Sequence, residues 1–208
     1  MSAFTRLPRR VAHAAALLLA VACAACVGGG EPGPTAHPDT VVRKAPDITF
    51  ATGAARVVGA APGPVTATGS VDFATGADRL DVQPPQKSTP PFGVTEPAAV
   101  LDLLRGAVKV TSYGGAEVQG IGTKRYEVDI DLGKAIAATP AERRADLHTL
   151  DGRLGDDDAL WADVFVDTHG RVRRVLLPVR TSMVRPYGDD DRIPQMVSVD
   201  YSSFGAAL

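Results

Sequence analysis

The stretch KRYEVDIDL, residues 124–132, constrains the fold more than any other part of the sequence. Its apolar side chains at positions 126, 128, 130 and 132 alternate with charged ones at 125, 127, 129 and 131. Because successive side chains of a strand point to opposite faces, this alternation predicts a strand with one buried and one wet face. Such strands are typical of antiparallel sheets, since strands of parallel sheets are covered on both faces.

Further strands are predicted on both sides of this one. Val65–Phe73 and Arg79–Gln83 form a predicted hairpin, and three separate strands are expected at 107–113, 116–121 and 124–132. The segments 159–167 and 171–183 flank a predicted turn at 167–170, and a last strand is expected at 195–205. Residues 47–59 open like a strand, with a turn of helix across 54–58. Residues 84–97 contain five prolines and are expected to be an irregular loop.

Two helices are predicted. Residues 96–107 place Pro97 in the first turn and an apolar stripe on one face, and Gly106 can end the helix. The second helix has the capping sequence TPAE, in which Thr139 is the predicted N-cap. Leucines at 147, 150 and 154 form its apolar stripe. Strands with one apolar face and two amphipathic helices predict an α+β fold.

The first 22 residues have the features of a secretory leader. The basic segment MSAFTRLPRR precedes a 12-residue run, apolar except for His13, that leads directly into Cys23. A helix that crosses a bilayer needs about 20 apolar residues, so this run is predicted to direct export and not to span the membrane. Loss of the three leader arginines changes the formal net charge from −2 to −5. Such a mature chain has no electrostatic reason to bind nucleic acid.

Both cysteines of the chain, Cys23 and Cys26, lie at the end of this leader. The residues before Cys23, LAVA, resemble a bacterial lipobox, in which the cysteine thiol receives a diacylglyceryl group and the residue becomes the new N-terminus. Cys26 is the alternative lipidated residue, and an ordinary leader cut without acylation is a further alternative. A redox CxxC motif needs a strand before it and a helix after it, and zinc needs more ligands than two thiols. We therefore predict neither redox nor metal chemistry here.

Residues 27–46, VGGGEPGPTAHPDTVVRKAP, are rich in glycine and proline and show no apolar periodicity. This composition predicts a tether. The sequence thus divides into a signal peptide at 1–22, a lipidated cysteine with its tether at 23–46, and a folded domain at 47–208.

The domain contains no recognisable catalytic or metal-binding motif. The chain has no G-x-S-x-G, H-E-x-x-H or phosphate-binding loop sequence, and three histidines, at 37, 148 and 169, follow the leader. The acidic runs GDDDAL and GDDDR lack the alternating ligands and distal glutamate of a calcium loop. We predict no enzyme activity, no catalytic residues, no metal and no cofactor.

Three segments carry a resemblance to a known family: residues 96–131, LWADVFVDTHGRVRRV at 160–175, and VSVDYSSFG at 197–205. Their order and spacing resemble actinobacterial envelope lipoproteins of the LppX/LprA/LprF/LprG type over residues 47–205. The resemblance implies a LolA-like fold, in which a single curved antiparallel sheet forms a half-barrel, helices pack on its concave face and an apolar cavity lies between the layers.

Members of this family bind or carry lipids and lipoglycans. The resemblance therefore implies a lipoprotein held by its N-terminal lipid on the outer face of the cell membrane, with a lipid or acylated ligand in the cavity. The alternative is an envelope scaffold that binds a protein partner and carries no lipid. The predicted cavity wall consists of Leu101, Leu104, Tyr126, Val128, Ile130, Leu147, Leu150, Trp161 and Phe165.

Overall fold

The computed structural model describes residues 37–85, 90–154, 159–178 and 195–206. Eight strands form one sheet in the order β3-β2-β1-β8-β7-β6-β5-β4, and every neighbouring pair is antiparallel. The strands are β1 (Ala54–Ala60), β2 (Thr66–Asp72), β3 (Ala77–Gln83), β4 (Ala107–Val118), β5 (Ile121–Asp131), β6 (Ala159–Asp167), β7 (Val172–Pro178) and β8 (Met196–Ser202). The sheet is open, because β3 and β4 lie at opposite edges.

Within the described residues, four helices accompany the sheet: α1 (Pro38–Phe50), α2 (Pro97–Leu103), α3 (Leu132–Ala138) and α4 (Ala145–Leu154). Short 3-10 turns occupy Leu104–Gly106 and Ala141–Arg143. The predicted α+β class, with a single antiparallel sheet and more than one helix, is confirmed. None of the described helices is both long and apolar enough to cross a membrane.

The register of β5 and β6 shows which side chains share a face of the sheet. Tyr126, Val128 and Ile130 pair with Val164, Ala162 and Leu160. All six are buried in one apolar cluster that also contains residues of α1, α2, α3 and α4. We call this side of the sheet the inner face and the other side the outer face. The alternation in KRYEVDIDL therefore predicts correctly which side of β5 faces this cluster, although Glu127 on the outer face is buried as well.

The folded domain begins earlier than the sequence predicts. Residues 38–46, expected to be tether, belong to α1. Val42, Ala45 and Thr49 lie on one face of this helix and are buried. Pro38 occupies the first turn, where its missing N–H costs nothing. Thr49 Oγ1 accepts a hydrogen bond from Val172 N at 3.0 Å, which ties the helix to β7. The prolines and glycines of residues 27–46 concealed this helix: the glycines lie before it, but Pro46 lies inside it.

Three local predictions also need correction. The turn of helix expected at 54–58 is strand β1, whose alternating burial follows the period of a strand. The three strands expected between 107 and 132 are two long ones, β4 and β5, joined at Gln119–Gly120, where both residues have positive φ. Leu132 does not extend a strand but opens α3, whose N-cap Asp131 accepts a hydrogen bond from Lys134 N.

Thr139 does not cap the second predicted helix. Its hydroxyl donates to Ala135 O at 2.8 Å, one turn back in α3, so it closes the preceding helix. A 3-10 turn follows, and α4 begins only at Ala145. The predicted leucine stripe is nevertheless present, because Leu147 and Leu150 of α4 are buried.

Candidate functional site

A cavity of about 730 Å³ lies between the first turn of α1 and the ends of β4, β5 and β6. This volume falls within the roughly 300–1,000 Å³ typical of small-molecule sites. Its wall consists of Val41, Gly115, Ala116, Glu117, Gly122, Thr123, Lys124, Tyr126, Val166, Asp167 and Thr168. Val41 comes from α1, and the other residues come from three neighbouring strands and the turn after β6.

Two glycines leave one side of the cavity without side chains. Gly115 pairs with Lys124 in the β4–β5 ladder, so it lies on the same face as Lys124. Gly122 lies two residues before Lys124 and shares that face as well. A Cβ built on either glycine would meet no atom within 4 Å. The bare backbone of these two positions therefore opens the space that larger side chains would fill.

The apolar part of the wall includes Val41, Val166 and the ring of Tyr126. Tyr126 is 4% exposed, and Val166 is 3% exposed. The Lys124 ammonium lies 5.6 Å from the centroid of the Tyr126 ring, in cation–π contact. Burial raises the pKa of Tyr126, so its phenol is protonated at neutral pH.

The carboxylate of Asp167 belongs to an internal network. Its oxygens accept hydrogen bonds from Arg171 Nε at 2.9 Å and Arg173 Nε at 2.8 Å, and from the backbone N–H groups of His169 and Arg171. Burial alone would raise the pKa of Asp167, but these hydrogen bonds outweigh it and lower the pKa. The carboxylate is thus ionised and neutralised by two arginines, so it adds no uncompensated charge to the cavity.

Lys124 differs from the basic residues around Asp167. Its side chain is exposed at the cavity, and no carboxylate of the described residues forms an ion pair with it. The hydroxyl of Tyr126 likewise makes no hydrogen bond within the described ranges, whereas those of Tyr113 and Tyr201 do. The cavity therefore combines an apolar wall with one free cation and one free hydroxyl.

The nine predicted wall residues separate into three groups. Tyr126 borders the cavity. Six others are buried within the apolar cluster between sheet and helices: Leu101, Leu104, Val128, Ile130, Leu147 and Leu150. Trp161 and Phe165 lie on the outer face, because they pair with Asp129 and Arg125 of β5. The structure therefore does not bring the nine residues together around one space.

The prediction missed most of the residues that form this cavity. The glycine-rich stretch YGGAEVQGIG, residues 113–122, is the signal that could have indicated it, since glycines within strands often mark a site where another group approaches closely. Val41 could not be found this way because α1 was not predicted.

No metal site is evident in the described ranges. They contain no group of three or more His, Cys, Asp or Glu side chains placed to hold a metal ion. Cys23 and Cys26, with the leader and most of the predicted tether, lie outside the described residues.

Comparison with known proteins gives structural similarity without sequence similarity. No family model matches the chain, and no curated protein matches its sequence. Lipoprotein LppX of Mycobacterium tuberculosis is similar in structure, with 13% identity and a TM-score of 0.48, over 82% of this chain and 96% of LppX. LprF of Mycobacterium bovis shows 11% identity and a TM-score of 0.44, over 84% of this chain and 96% of LprF.

A more distant structural similarity is to a DUF1329 family protein from Desulfovibrio piger. It has 10% identity and a TM-score of 0.24, over 82% of this chain and 95% of that protein. LppX and LprF are of the type that the sequence resembles.

Proposed function

We propose that this protein is an exported lipoprotein that is anchored to the outer face of the cell membrane and binds a lipid or acylated ligand. The observation that carries the proposal is the open cavity of about 730 Å³ beside Tyr126 and Val166. An apolar chain bound there would be removed from water against Val41, Val166 and the Tyr126 ring, which is favourable by about 25 cal/mol per Å² of apolar surface.

The sequence supports the anchor. The leader ends at Cys23 in a lipobox-like sequence, and 13 residues separate Cys23 from His37, the first described residue. At about 3.3 Å per residue this segment reaches at most roughly 45 Å. An anchored domain would thus remain close to the lipids from which a ligand could come. Intact-mass analysis of the exported protein tests the anchor: acylation requires a mass increase on Cys23 or Cys26, and unmodified cysteines would refute it.

Ligand binding is tested on the chain from Val27 onward, which lacks both cysteines but contains every described helix and strand. We expect this protein to co-purify with lipid that organic extraction and mass spectrometry detect. Gly115→Leu and Gly122→Leu should each place an apolar side chain into the cavity, because a Cβ meets no neighbour at either position. Both variants should therefore retain the fold, as circular dichroism would show, and lose most of the bound lipid.

Gly152→Leu is the matched control. Gly152 lies in α4, is exposed and also has open space around a built Cβ. This variant adds the same side chain outside the cavity, so its lipid content should equal that of the unchanged protein. Lipid-free protein, or equal lipid content in all three variants, would contradict binding in this cavity.

A further inference from the structure

The cavity has a polar site that its apolar wall does not require. Gly122, Lys124 and Tyr126 alternate along β5, so their side-chain positions share the inner face. Lys124 and Tyr126 both border the cavity. The Lys124 ammonium also lies against the Tyr126 ring. Both residues therefore line the same open cavity.

Neither polar group forms a hydrogen bond or an ion pair with another described residue. Most of the Tyr126 side chain is buried, but its hydroxyl stays accessible to solvent and has no hydrogen-bond partner among the described residues. A donor that is accessible and unpaired within the protein is available to an acceptor bound in the cavity. The Lys124 ammonium has three N–H donors and no acceptor, and the protonated phenol of Tyr126 adds one O–H donor.

The charges around this pair favour a negatively charged ligand group. Asp167 is compensated by Arg171 and Arg173, which leaves Glu117 as the one other charged residue on the cavity wall. Glu117 is exposed and lies more than 4.0 Å from any lysine or arginine nitrogen of the described residues. It therefore forms no ion pair with Lys124.

We infer that the ligand of this cavity carries an anionic oxygen group, a carboxylate or a phosphate, which Lys124 Nζ and Tyr126 Oη bind together while the apolar chain lies along Val41, Val166 and the glycine wall. This inference rests on the proposed function and narrows its ligand class from lipids in general to acidic ones. Charge-assisted hydrogen bonds of this kind are roughly twice as strong as neutral ones.

The test compares ligands that share one acyl chain and differ in the head group. Binding of palmitate, lysophosphatidic acid with a palmitoyl chain, and methyl palmitate is measured by displacement of a fluorescent fatty acid from the chain that begins at Val27. We expect whichever acid matches the site to bind at least about tenfold more tightly than the methyl ester, because one charge-assisted hydrogen bond accounts for that factor. The two acids distinguish a carboxylate site from a phosphate site, and inorganic phosphate alone tests whether the apolar chain is needed.

Three variants assign the effect to the named atoms. Lys124→Met should weaken binding of the acids roughly tenfold and leave the ester unchanged. Tyr126→Phe removes only the hydroxyl and should have a smaller effect of the same selectivity. Lys109→Met is the matched control, because Lys109 pairs with Asp129 and so lies on the outer face; it should change nothing.

The outcomes separate the two proposals. Equal affinity for the acids and the ester, unchanged by Lys124→Met and Tyr126→Phe, would overturn the anionic site while the lipid-binding function stands. Absence of binding by every ligand would refute the proposed function itself. A selective loss of acid binding in both variants, but not in the control, would support the inference.

Discussion

At the scale of single residues, the most buried charge of the described structure is Asp102 of α2. Its side chain is fully buried, and its carboxylate accepts hydrogen bonds from Arg105 at 2.7 Å and from Arg143 at 2.8 and 3.2 Å. Both guanidinium groups also lie over the ring of Phe50 in α1, at 5.7 and 4.3 Å from its centroid. One carboxylate thus connects the segments around α1, α2 and α4.

Removal of this carboxylate should be strongly destabilising. We expect Asp102→Asn to lower the free energy of unfolding by about 3 kcal/mol, because Arg143 loses its counter-charge and Arg105 keeps only its pair with the exposed Asp47. Urea denaturation followed by circular dichroism measures the change. Asp47→Asn is the control, since Asp47 pairs with the same Arg105 but its side chain is 66% exposed; such a pair contributes under about 1 kcal/mol. An equal loss of unfolding free energy in both variants would contradict the conclusion that burial makes the Asp102 carboxylate the more important partner.

A second residue, Asp78 of β3, should make stability depend on pH. Asp78 pairs with the buried Val71, so it lies on the inner face, where it is partly desolvated although still exposed to solvent. This desolvation, together with the charges of Asp146 and Glu96, raises its pKa to about 6. An acid whose pKa is higher in the folded state stabilises that state when protonated. Its contribution is therefore present below about pH 4 and disappears as the pH rises through 6.

We expect Asp78→Asn to remove this part of the pH dependence and to stabilise the protein at pH 7 by at most about 1 kcal/mol, because solvent screens an exposed charge. Thermal unfolding between pH 4 and 8 measures the effect. Asp81→Asn makes the same charge change in β3, but Asp81 pairs with Thr68 on the outer face. A stability difference between Asp78→Asn and the unchanged protein that stays constant from pH 4 to 8 would contradict the role given to Asp78.

At the scale of elements, the close approach of the 3-10 turn at 104–106 to α3 depends on Gly106. A Cβ at this position would lie 2.3 Å from Asp131 O and 2.8 Å from Ala135 N, both backbone atoms. Backbone atoms cannot move aside as the end of a flexible side chain can. The turn can therefore pack this closely on the start of α3 only because residue 106 has no side chain.

Gly106→Ala should destabilise the protein by about 1–3 kcal/mol, the usual cost of overpacking. Gly152→Ala makes the same chemical change in an exposed turn of α4 with open space around the new methyl group. This control should stabilise by about 0.5–1 kcal/mol, because alanine is the better helix former. Differential scanning calorimetry of both variants measures this contrast. Similar shifts of the melting temperature in the two variants would contradict the close approach at Gly106.

At the scale of the whole molecule, the sheet joins the two ends of the described chain. β8 lies between β1 and β7, so the strands before α2 connect to those after it only through the last strand. Tyr201 of β8 reinforces this connection, because its buried hydroxyl donates to Pro97 O at 2.7 Å, at the start of α2. The inner face becomes continuous only when β8 is in place, and the helices then cover it.

The sequence alone was sufficient for the fold class and for most of the strands. Alternation within KRYEVDIDL predicts the buried side of β5, and glycine at position 170 predicts the turn between β6 and β7. These features are local, because the period of a strand and the positive φ of a turn depend on neighbouring residues. The helix starting at Pro97 could be predicted for the same reason, from a proline followed by an apolar stripe.

Only the tertiary structure decided which apolar residues face the helices and where a space remains between the layers. In β6 apolar side chains occur at both parities, so periodicity could not place Trp161 and Phe165 on the outer face; the pairing with β5 did. The cavity likewise unites residues from α1, β4, β5 and β6 that are far apart in sequence. Local patterns specify the faces of single elements, whereas a cavity depends on how closely separate elements pack, which is a property of the assembled fold.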